Sequence, residues 1–258
     1  MVWQYYRQHG RAFPWRQTDS PYHILVSELM LQQTQTSRVL TKYEELITAF
    51  PDFPALAEAS LDQVLRVWQG LGYNRRALAL HRIAGIVQSE FNGKLPASPE
   101  VLQKLPGIGD YTANAIAALA FNQPTVFIET NIRAVFLRCF FDRDEEVADR
   151  DILPLVAATL DSRQPRQWYY ALFDYGAMLK KSGKHGARSR HYRRQSAFRG
   201  SNRELRARIL RLVLARSPVP EQELIRQLDW SASQVRRNLE QMQKEGFISI
   251  NGDSISIA

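Results

Sequence analysis

The sequence predicts a mainly α-helical protein whose C-terminal part also carries a β-hairpin. Apolar residues recur at the spacing of a helix face through most of the first 180 residues. The breaks between these stretches contain turn-forming pairs such as Pro51-Asp52 and Asn92-Gly93. Near the C-terminus, apolar residues alternate on both sides of Asn251-Gly252, which is a strong local signal for a hairpin.

The individual helices are predicted in order from this spacing and from residues that favour helix starts. Ser20-Pro21 and Ser98-Pro99 predict two helix starts, because serine caps a helix and proline suits its first position. The other helices predicted before residue 182 lie at 37–49, 60–69, 76–91, 112–121, 132–141, 151–160 and 167–179.

A second unit is predicted after a basic linker at 183–202, where the helical pattern lapses into Gly, Ser, Arg and His. Its predicted helices lie at 205–214, 220–228 and 231–245, and the hairpin follows them. Three helices and a terminal hairpin are typical of a winged helix, which is a helix-turn-helix variant. Such a module mediates protein contacts as well as DNA contacts, and Arg236 and Arg237 in its third helix favour DNA.

The positive charge is concentrated in one stretch. The chain has a net charge of +8, yet residues 180–216 hold 13 of its 34 Lys and Arg residues and a single acidic residue, Glu204. A field concentrated in this way favours a polyanionic partner, and a solvated basic linker is the alternative. The residues predicted here to contact DNA phosphates are Arg188, Arg190, Arg193 and Arg194.

Other features of the composition bear on the cellular location and the partners that we expect. The longest apolar runs fall far short of the roughly 20 residues that a membrane-spanning helix needs, so we expect no membrane partner. The first residues carry no apolar signal-peptide core, and the single cysteine, Cys139, cannot form an intramolecular disulfide. We therefore expect a cytoplasmic, nucleoid-associated protein, and we expect it to be a monomer.

Residues 105–113, Leu-Pro-Gly-Ile-Gly-Asp-Tyr-Thr-Ala, connect two predicted helices. Gly107 and Gly109 leave backbone N–H groups uncovered, and these amides form an anion site with the start of the next helix. Asp110 and Thr112 at that helix start complete the predicted phosphate site. A short Gly-x-Gly is most often an ordinary turn, but the longer string resembles the helix-hairpin-helix of the base-excision DNA glycosylases.

Glu28 interrupts an apolar run, with Ile24, Leu25 and Leu31 on its face of the predicted helix. A carboxyl group held against apolar surface retains its proton near neutral pH, as a general acid requires. The alternative is a glutamate at the edge of the face with its head in water.

Further motifs make the resemblance more specific. Phe13-Pro14-Trp15-Arg16, the segment 27–35 (Ser-Glu-Leu-Met-Leu-Gln-Gln-Thr-Gln) and Trp68-Gln69-Gly70-Leu71-Gly72-Tyr73 resemble the adenine DNA glycosylases over about residues 10–180. The resemblance implies two helical lobes with the active site in the cleft. We expect 22–128 to form a six-helix lobe with the hairpin, 1–21 and 129–182 the second lobe, and 203–258 the winged-helix-like domain.

The resemblance also implies roles for individual residues. Glu28 would protonate the adenine, Gln32 and Gln33 would fill the gap left by the flipped base, and Tyr73 would lie near the base pocket unless it is only a packed aromatic. Tyr111 stands where bifunctional relatives similar to endonuclease III carry a lysine that attacks the sugar. Because a tyrosine cannot form a Schiff base, we expect base removal without strand cleavage.

One carboxylate departs from the family pattern. Glu129 occupies the place of the family's aspartate, and Asn131 matches the asparagine that follows it. A fixed anion there stabilises the positive charge that builds on the sugar as the glycosidic bond breaks. Glutamate has one methylene more than aspartate, and this shifts the position of its carboxylate. Either the backbone compensates for the shift, or the site is retuned for another base or is inactive.

The chain also lacks features that the family usually carries. With one cysteine it cannot hold the four-cysteine iron–sulfur cluster, and His185 and His191 have no convincing zinc set around them. We expect no cofactor and no metal site, although a monovalent cation can be accommodated at the hairpin.

The winged-helix-like domain stands where adenine glycosylases have a domain that resembles nucleotide hydrolases. The leading hypothesis is a monofunctional glycosylase that acts on adenine opposite guanine or oxidised guanine in double-stranded DNA. A thymine or uracil glycosylase acting on guanine mismatches is the runner-up, since related enzymes also have tyrosine at the Tyr111 position. A non-catalytic protein that binds damaged DNA is the third hypothesis.

Overall fold

The computed structural model describes residues 1–142, 146–182 and 197–258. They form a mainly helical fold with a small antiparallel sheet, as the sequence predicts. The helices are α1 Val2–His9, α2 Pro21–Leu31, α3 Thr36–Ala49, α4 Phe53–Glu58, α5 Leu61–Trp68, α6 Arg75–Phe91, α7 Pro99–Leu102, α8 Asp110–Phe121, α9 Thr130–Phe140, α10 Asp149–Thr159, α11 Pro165–Ser182, α12 Asn202–Ala215, α13 Glu221–Gln227 and α14 Ala232–Glu245. The strands are β1 Val219–Pro220, β2 Ile248–Asn251 and β3 Ser254–Ile257.

Every stretch with helical apolar spacing is a helix, and both predicted serine caps are present. The Ser20 hydroxyl accepts a hydrogen bond from the His23 N–H, and the Ser98 hydroxyl accepts one from the Val101 N–H. The structure adds α1, α4 and a 3₁₀ turn at Pro14–Arg16 that the pattern did not reveal. The helix α4 and the 3₁₀ turn are too short to repeat an apolar spacing, and α1 buries none of its residues.

The chain forms two compact units, each built from two separate segments. The first unit comprises residues 1–32 and the described part of 94–194, and the second comprises 33–93 with the described part of 195–258. This grouping differs from the boundaries that we expected, because residues 22–32 and 94–128 join the first unit and residues 203–258 share the second unit with 33–93. The reason is packing, since α8 contacts both α2 and α11.

The first unit has α2 and α8 at its centre. Residues Ile24–Met30 of α2 are all buried, and α8 buries five alanines at 113, 115, 117, 118 and 120. Such small side chains let α8 approach α2 closely, while α9 packs against α11 and α11 also contacts α1. This arrangement buries residues 24–30 of α2.

The second unit joins α3–α6 to the C-terminal helices and sheet. The sheet order is β1-β3-β2, and Ile255 of β3 pairs with both Val219 of β1 and Ile250 of β2. The hairpin predicted around Asn251-Gly252 is thus present, and α12 and α14 pack on its strands. Strand β1 was not predicted, because two residues are too few for an alternating pattern. In the described part of the chain, no helix combines the length and apolarity required to cross a membrane.

Candidate active site

Glu28 lies in the middle of α2 and is 7% exposed. The pKa of Glu28 is raised to about 7. Burial is the largest cause, the nearby charge of Glu129 also raises the pKa, and Arg16 lowers it. The apolar setting that the sequence predicted is therefore present, and a glutamate with its head in water is not what the structure contains. A carboxyl group with this pKa is substantially protonated at neutral pH, as proton donation requires.

Glu129 lies at the N-terminus of α9, where it acts as the N-cap residue. Its Oε1 accepts hydrogen bonds from the backbone N–H groups of Asn131 at 2.7 Å and Ile132 at 2.9 Å. Its Oε2 accepts from the Thr130 hydroxyl at 3.0 Å and from Asn131 Nδ2 at 3.2 Å. The longer side chain of glutamate thus folds back onto the helix start. The backbone N–H groups and the helix dipole favour a negative charge there, so the carboxylate is a fixed anion.

Tyr111 lies in the first turn of α8, and its ring meets the edge of Phe127 with centroids 5.7 Å apart. Phe127 in turn stacks on Tyr169 at 3.9 Å. Burial raises the pKa of Tyr111 well above its usual value, and the charges of Glu28 and Glu129 raise it further. Tyr111 is therefore a neutral phenol in the electrostatic neighbourhood of both carboxyl groups.

A charge cluster of the first unit, whose Arg16 lowers the pKa of Glu28, was not identified from the sequence. Arg16 donates to both oxygens of Asp174, at 2.9 and 3.0 Å, and Arg11 donates to the same carboxylate through its backbone N–H and Nε. Asp174 is 2% exposed, and the Arg16 guanidinium lies 4.5 Å from the ring centroid of Tyr170. Arg16 ends the motif at residues 13–16, but the sequence indicated no role for its side chain. Its partner Asp174 is 158 positions away in the sequence.

A cavity of about 360 Å³ opens beside this cluster, between α1 and α11. Arg11 and Asp174 line it together with Tyr5 and His9. Glu28, Tyr111 and Glu129 do not line this cavity.

The hairpin before α8 has the backbone that the sequence predicted. Gly107 has φ +76°, and Gly109 is the N-cap residue of α8, with open space where a side chain would stand. Asp110 Oδ1 accepts from Gln103 and Asn114, each at 3.2 Å. The side chain of Thr112 is buried, and its hydroxyl accepts a hydrogen bond from Gln32 Nε2 at 3.2 Å. The role of Thr112 in a phosphate site stays a prediction.

The remaining predicted site residues are divided between the two units. Gln32 ends α2 in the first unit, whereas Gln33 and Tyr73 belong to the second unit. Gln33 is exposed with φ +54°, and Tyr73 has φ +49°. The predicted phosphate-contacting residues Arg188, Arg190, Arg193 and Arg194 lie outside the described residues, as do His185 and His191.

The donor set for an iron–sulfur cluster is missing. Cys139, the single cysteine of the sequence, lies exposed on α9 and not after α11. Four thiolates are needed for the cluster, so these residues do not fit that group. Across residues 1–142, 146–182 and 197–258, no cluster of His, Cys, Asp and Glu side chains could hold a metal ion.

Several known proteins are similar to this chain in sequence. A family model described as HhH-GPD superfamily base excision DNA repair protein matches residues 26–153. The adenine DNA glycosylase of Mycobacterium tuberculosis strain H37Rv is 34% identical over 242 residues, which cover 85% of this chain and 80% of that protein. The human adenine DNA glycosylase is 35% identical over 187 residues, which cover 68% of this chain and 34% of that protein.

Solved structures show the same fold. A thermostable thymine-DNA glycosylase superposes with a TM-score of 0.63 at 25% identity and covers 69% of this chain and 83% of its own. A trapped endonuclease III–DNA covalent intermediate superposes with a TM-score of 0.54 at 18% identity and covers 76% of this chain and 87% of its own. The chain therefore belongs to the HhH-GPD superfamily of base excision DNA repair proteins, within the family of the adenine DNA glycosylases.

Proposed function

We propose that the protein is a monofunctional DNA glycosylase that removes adenine opposite guanine or oxidised guanine and leaves an abasic site. The observation that carries this proposal is the buried Glu28, whose pKa of about 7 makes it a proton donor, in the electrostatic range of the fixed anion at Glu129. The relatives named adenine DNA glycosylases support adenine as the base.

The reaction follows from these two carboxyl groups. Glu28 donates its proton to the adenine ring, and the bond between the base and C1′ of the sugar then breaks with both electrons leaving on the base. The Glu129 carboxylate stabilises the positive charge that develops on the sugar. A water molecule adds to C1′, and the Glu28 carboxylate accepts the proton that this water loses. The products are free adenine and an abasic site, and Glu28 is again protonated.

Strand cleavage is not expected from this site. A lyase step needs an amine that forms a Schiff base with the sugar, and Tyr111 carries a neutral phenol instead. The proposed partner is double-stranded DNA, in which flipping a base costs less at a mismatch than in a matched pair, and this difference helps to select the site.

A second substrate class has one observation in its favour. The thermostable thymine-DNA glycosylase shares the fold at 25% identity. In such an enzyme the same carboxyl groups would serve removal of thymine or uracil opposite guanine. A third reading, a protein that binds damaged DNA without excision, predicts tight binding and an intact duplex.

The test is a single-turnover assay on duplexes that carry adenine, thymine or uracil opposite guanine, and adenine opposite oxidised guanine. We expect adenine release, with strand breaks seen only after alkali. Breaks before alkali would contradict the monofunctional reaction, and faster excision of thymine or uracil would establish the second class. Glu28→Gln should abolish excision, whereas Glu90→Gln makes the same change at an exposed position and should not.

A further inference from the structure

The C-terminal region, residues 197–258, is held on the helical part of the second unit by an arginine-rich contact. Glu245, the last residue of α14, accepts hydrogen bonds from Arg75 of α6 and Arg206 of α12. Its backbone oxygen accepts from Arg82 of α6 at 2.8 Å. An arginine at a helix C-terminus interacts well with the carbonyl groups there, so the contact fixes α14 against α6.

A second contact of this region reaches the loop between α5 and α6. Arg203, in the first turn of α12, donates from Nη1 to the hydroxyl of Tyr73 at 3.1 Å. Its guanidinium carbon lies 5.9 Å from the ring centroid, near the limit of a cation–π contact. The hydroxyl bond is therefore the main interaction between the two side chains.

Tyr73 itself has an unusual backbone. Its φ is +49°, a conformation that aromatic residues rarely adopt, and it follows Gly72 with φ +71°. Arg76 donates to the backbone oxygens of Gly72 and Tyr73 and lies 5.3 Å from the Tyr73 ring centroid. Strained backbone persists only where the surroundings hold it, and such strain is concentrated at functional sites.

We propose that Arg203 is a positioning residue that holds the Tyr73 ring ready to contact a nucleobase of the DNA substrate. The C-terminal region would then be a working part of the substrate-binding surface, and not merely an attached DNA-binding module. The proposal rests on the proposed function for its substrate. The chemistry is that of base stacking, since a partly exposed ring held by its hydroxyl edge presents a flat surface to a base.

Two other basic side chains of α12 provide a comparison for Arg203. Arg206 pairs with Glu245, and Arg208 pairs with Glu204 and lies over Trp230. Both therefore serve contacts of the C-terminal region that do not involve Tyr73. Arg208 is the matched control, because its removal costs the same charge on the same helix.

The first experiment measures the loop in the free protein, without DNA. Hydrogen exchange at residues 71–76 should become faster by tenfold or more in Arg203→Ala and should stay unchanged in Arg208→Ala. Equal exchange in the two variants would overturn the contact as a positioning device. This measurement does not depend on which base is excised, so it separates this proposal from the proposed function.

The second experiment measures the dissociation constant for a fully paired duplex, divided by that for a duplex with adenine opposite oxidised guanine. The Glu28→Gln background keeps the substrate intact. Arg203→Ala should reduce this ratio by about tenfold, because base–aromatic stacking has that magnitude. Arg203→Lys keeps a donor and should restore part of the loss, and Arg208→Ala should leave the ratio unchanged.

A double-mutant cycle decides whether Arg203 acts through the tyrosine. Tyr73→Phe keeps the ring and removes the hydroxyl that Arg203 binds. In that background Arg203→Ala should lower the ratio by less than twofold, since the two changes remove the same interaction. Fully additive losses would mean that Arg203 contacts DNA independently, and the proposal would be wrong.

Discussion

Gly176 of α11 packs directly against the backbone of Asn131 in the first turn of α9. A Cβ at position 176 would lie 2.6 Å from the carbonyl carbon of Asn131 and 2.8 Å from its Cα. Real Cβ atoms do not approach so closely, so only glycine permits this helix contact. Because Glu129 caps the same turn, the contact sets where its carboxylate lies.

Gly176→Ala should therefore slow base excision by tenfold or more and destabilise the fold by about 1–3 kcal/mol, the usual cost of overpacking. Gly85→Ala is the matched control, since position 85 is in α6 with open space around a Cβ. That change should stabilise the protein by up to about 1 kcal/mol and leave the rate unaltered. Single-turnover kinetics and denaturant unfolding measure both effects, and equal rates in the two variants would disprove the coupling.

Glu28→Gln should stabilise the protein at pH 8 but not at pH 4. The pKa of Glu28 is about 7 in the fold and near its ordinary value of 4.5 in the unfolded chain. Below pH 4.5 the group is protonated in both states, so it costs nothing. As the pH rises to 7 and above, the fold must bury a charge, at a cost of about 3 kcal/mol. Urea unfolding at the two pH values measures this, and equal stabilisation at both would contradict the buried acid.

The value of kcat/KM for adenine excision should fall about tenfold per pH unit above pH 7, because the protonated form of Glu28 is lost. Glu129→Gln should move this decline to lower pH, since the Glu129 charge is one of the causes that raise the pKa of Glu28. A pH profile of each protein provides the comparison. An unchanged position of the decline would show that the two carboxyl groups are not coupled.

Glu129→Asp and Glu129→Gln should separate the charge from the length of this side chain. Aspartate is a favoured N-cap residue, so Glu129→Asp should keep the stability within about 1 kcal/mol and retain activity within tenfold. Glu129→Gln keeps the length but removes the charge that stabilises the sugar cation, and it should lose 100-fold or more, a magnitude of about 3 kcal/mol. Activity retained in Glu129→Gln would remove this residue from the chemistry.

The sequence predicted what depends on local pattern. The helix starts at Ser20 and Ser98, the apolar setting of Glu28 and the terminal hairpin all follow from neighbouring residues, and the structure contains them. The motifs also placed the chain in its family. The roles assigned to Gln32, Gln33, Tyr73 and Asn131 remain predictions.

The features that the sequence did not reveal depend on contacts between distant segments. Arg16 and Asp174 meet across 158 positions, and neither has a local pattern that indicates a partner. The buried hydroxyl of Thr112 bonds to Gln32, which is 80 positions away. The grouping of 94–128 with the first unit has the same origin, because small alanines of α8 pack on α2.

The composition of the second unit has a consequence for synthesis of the protein. Residues 33–93 share that unit with residues from 195 onward, so its early helices emerge from the ribosome long before the partners that cover them. Of these, α5 packs against α12 and α6 meets Glu245 through Arg75 and Arg82. These helices remain incompletely packed until translation reaches α14. A ribosome stalled before residue 200 would therefore carry a nascent chain that is a substrate for chaperones and proteases.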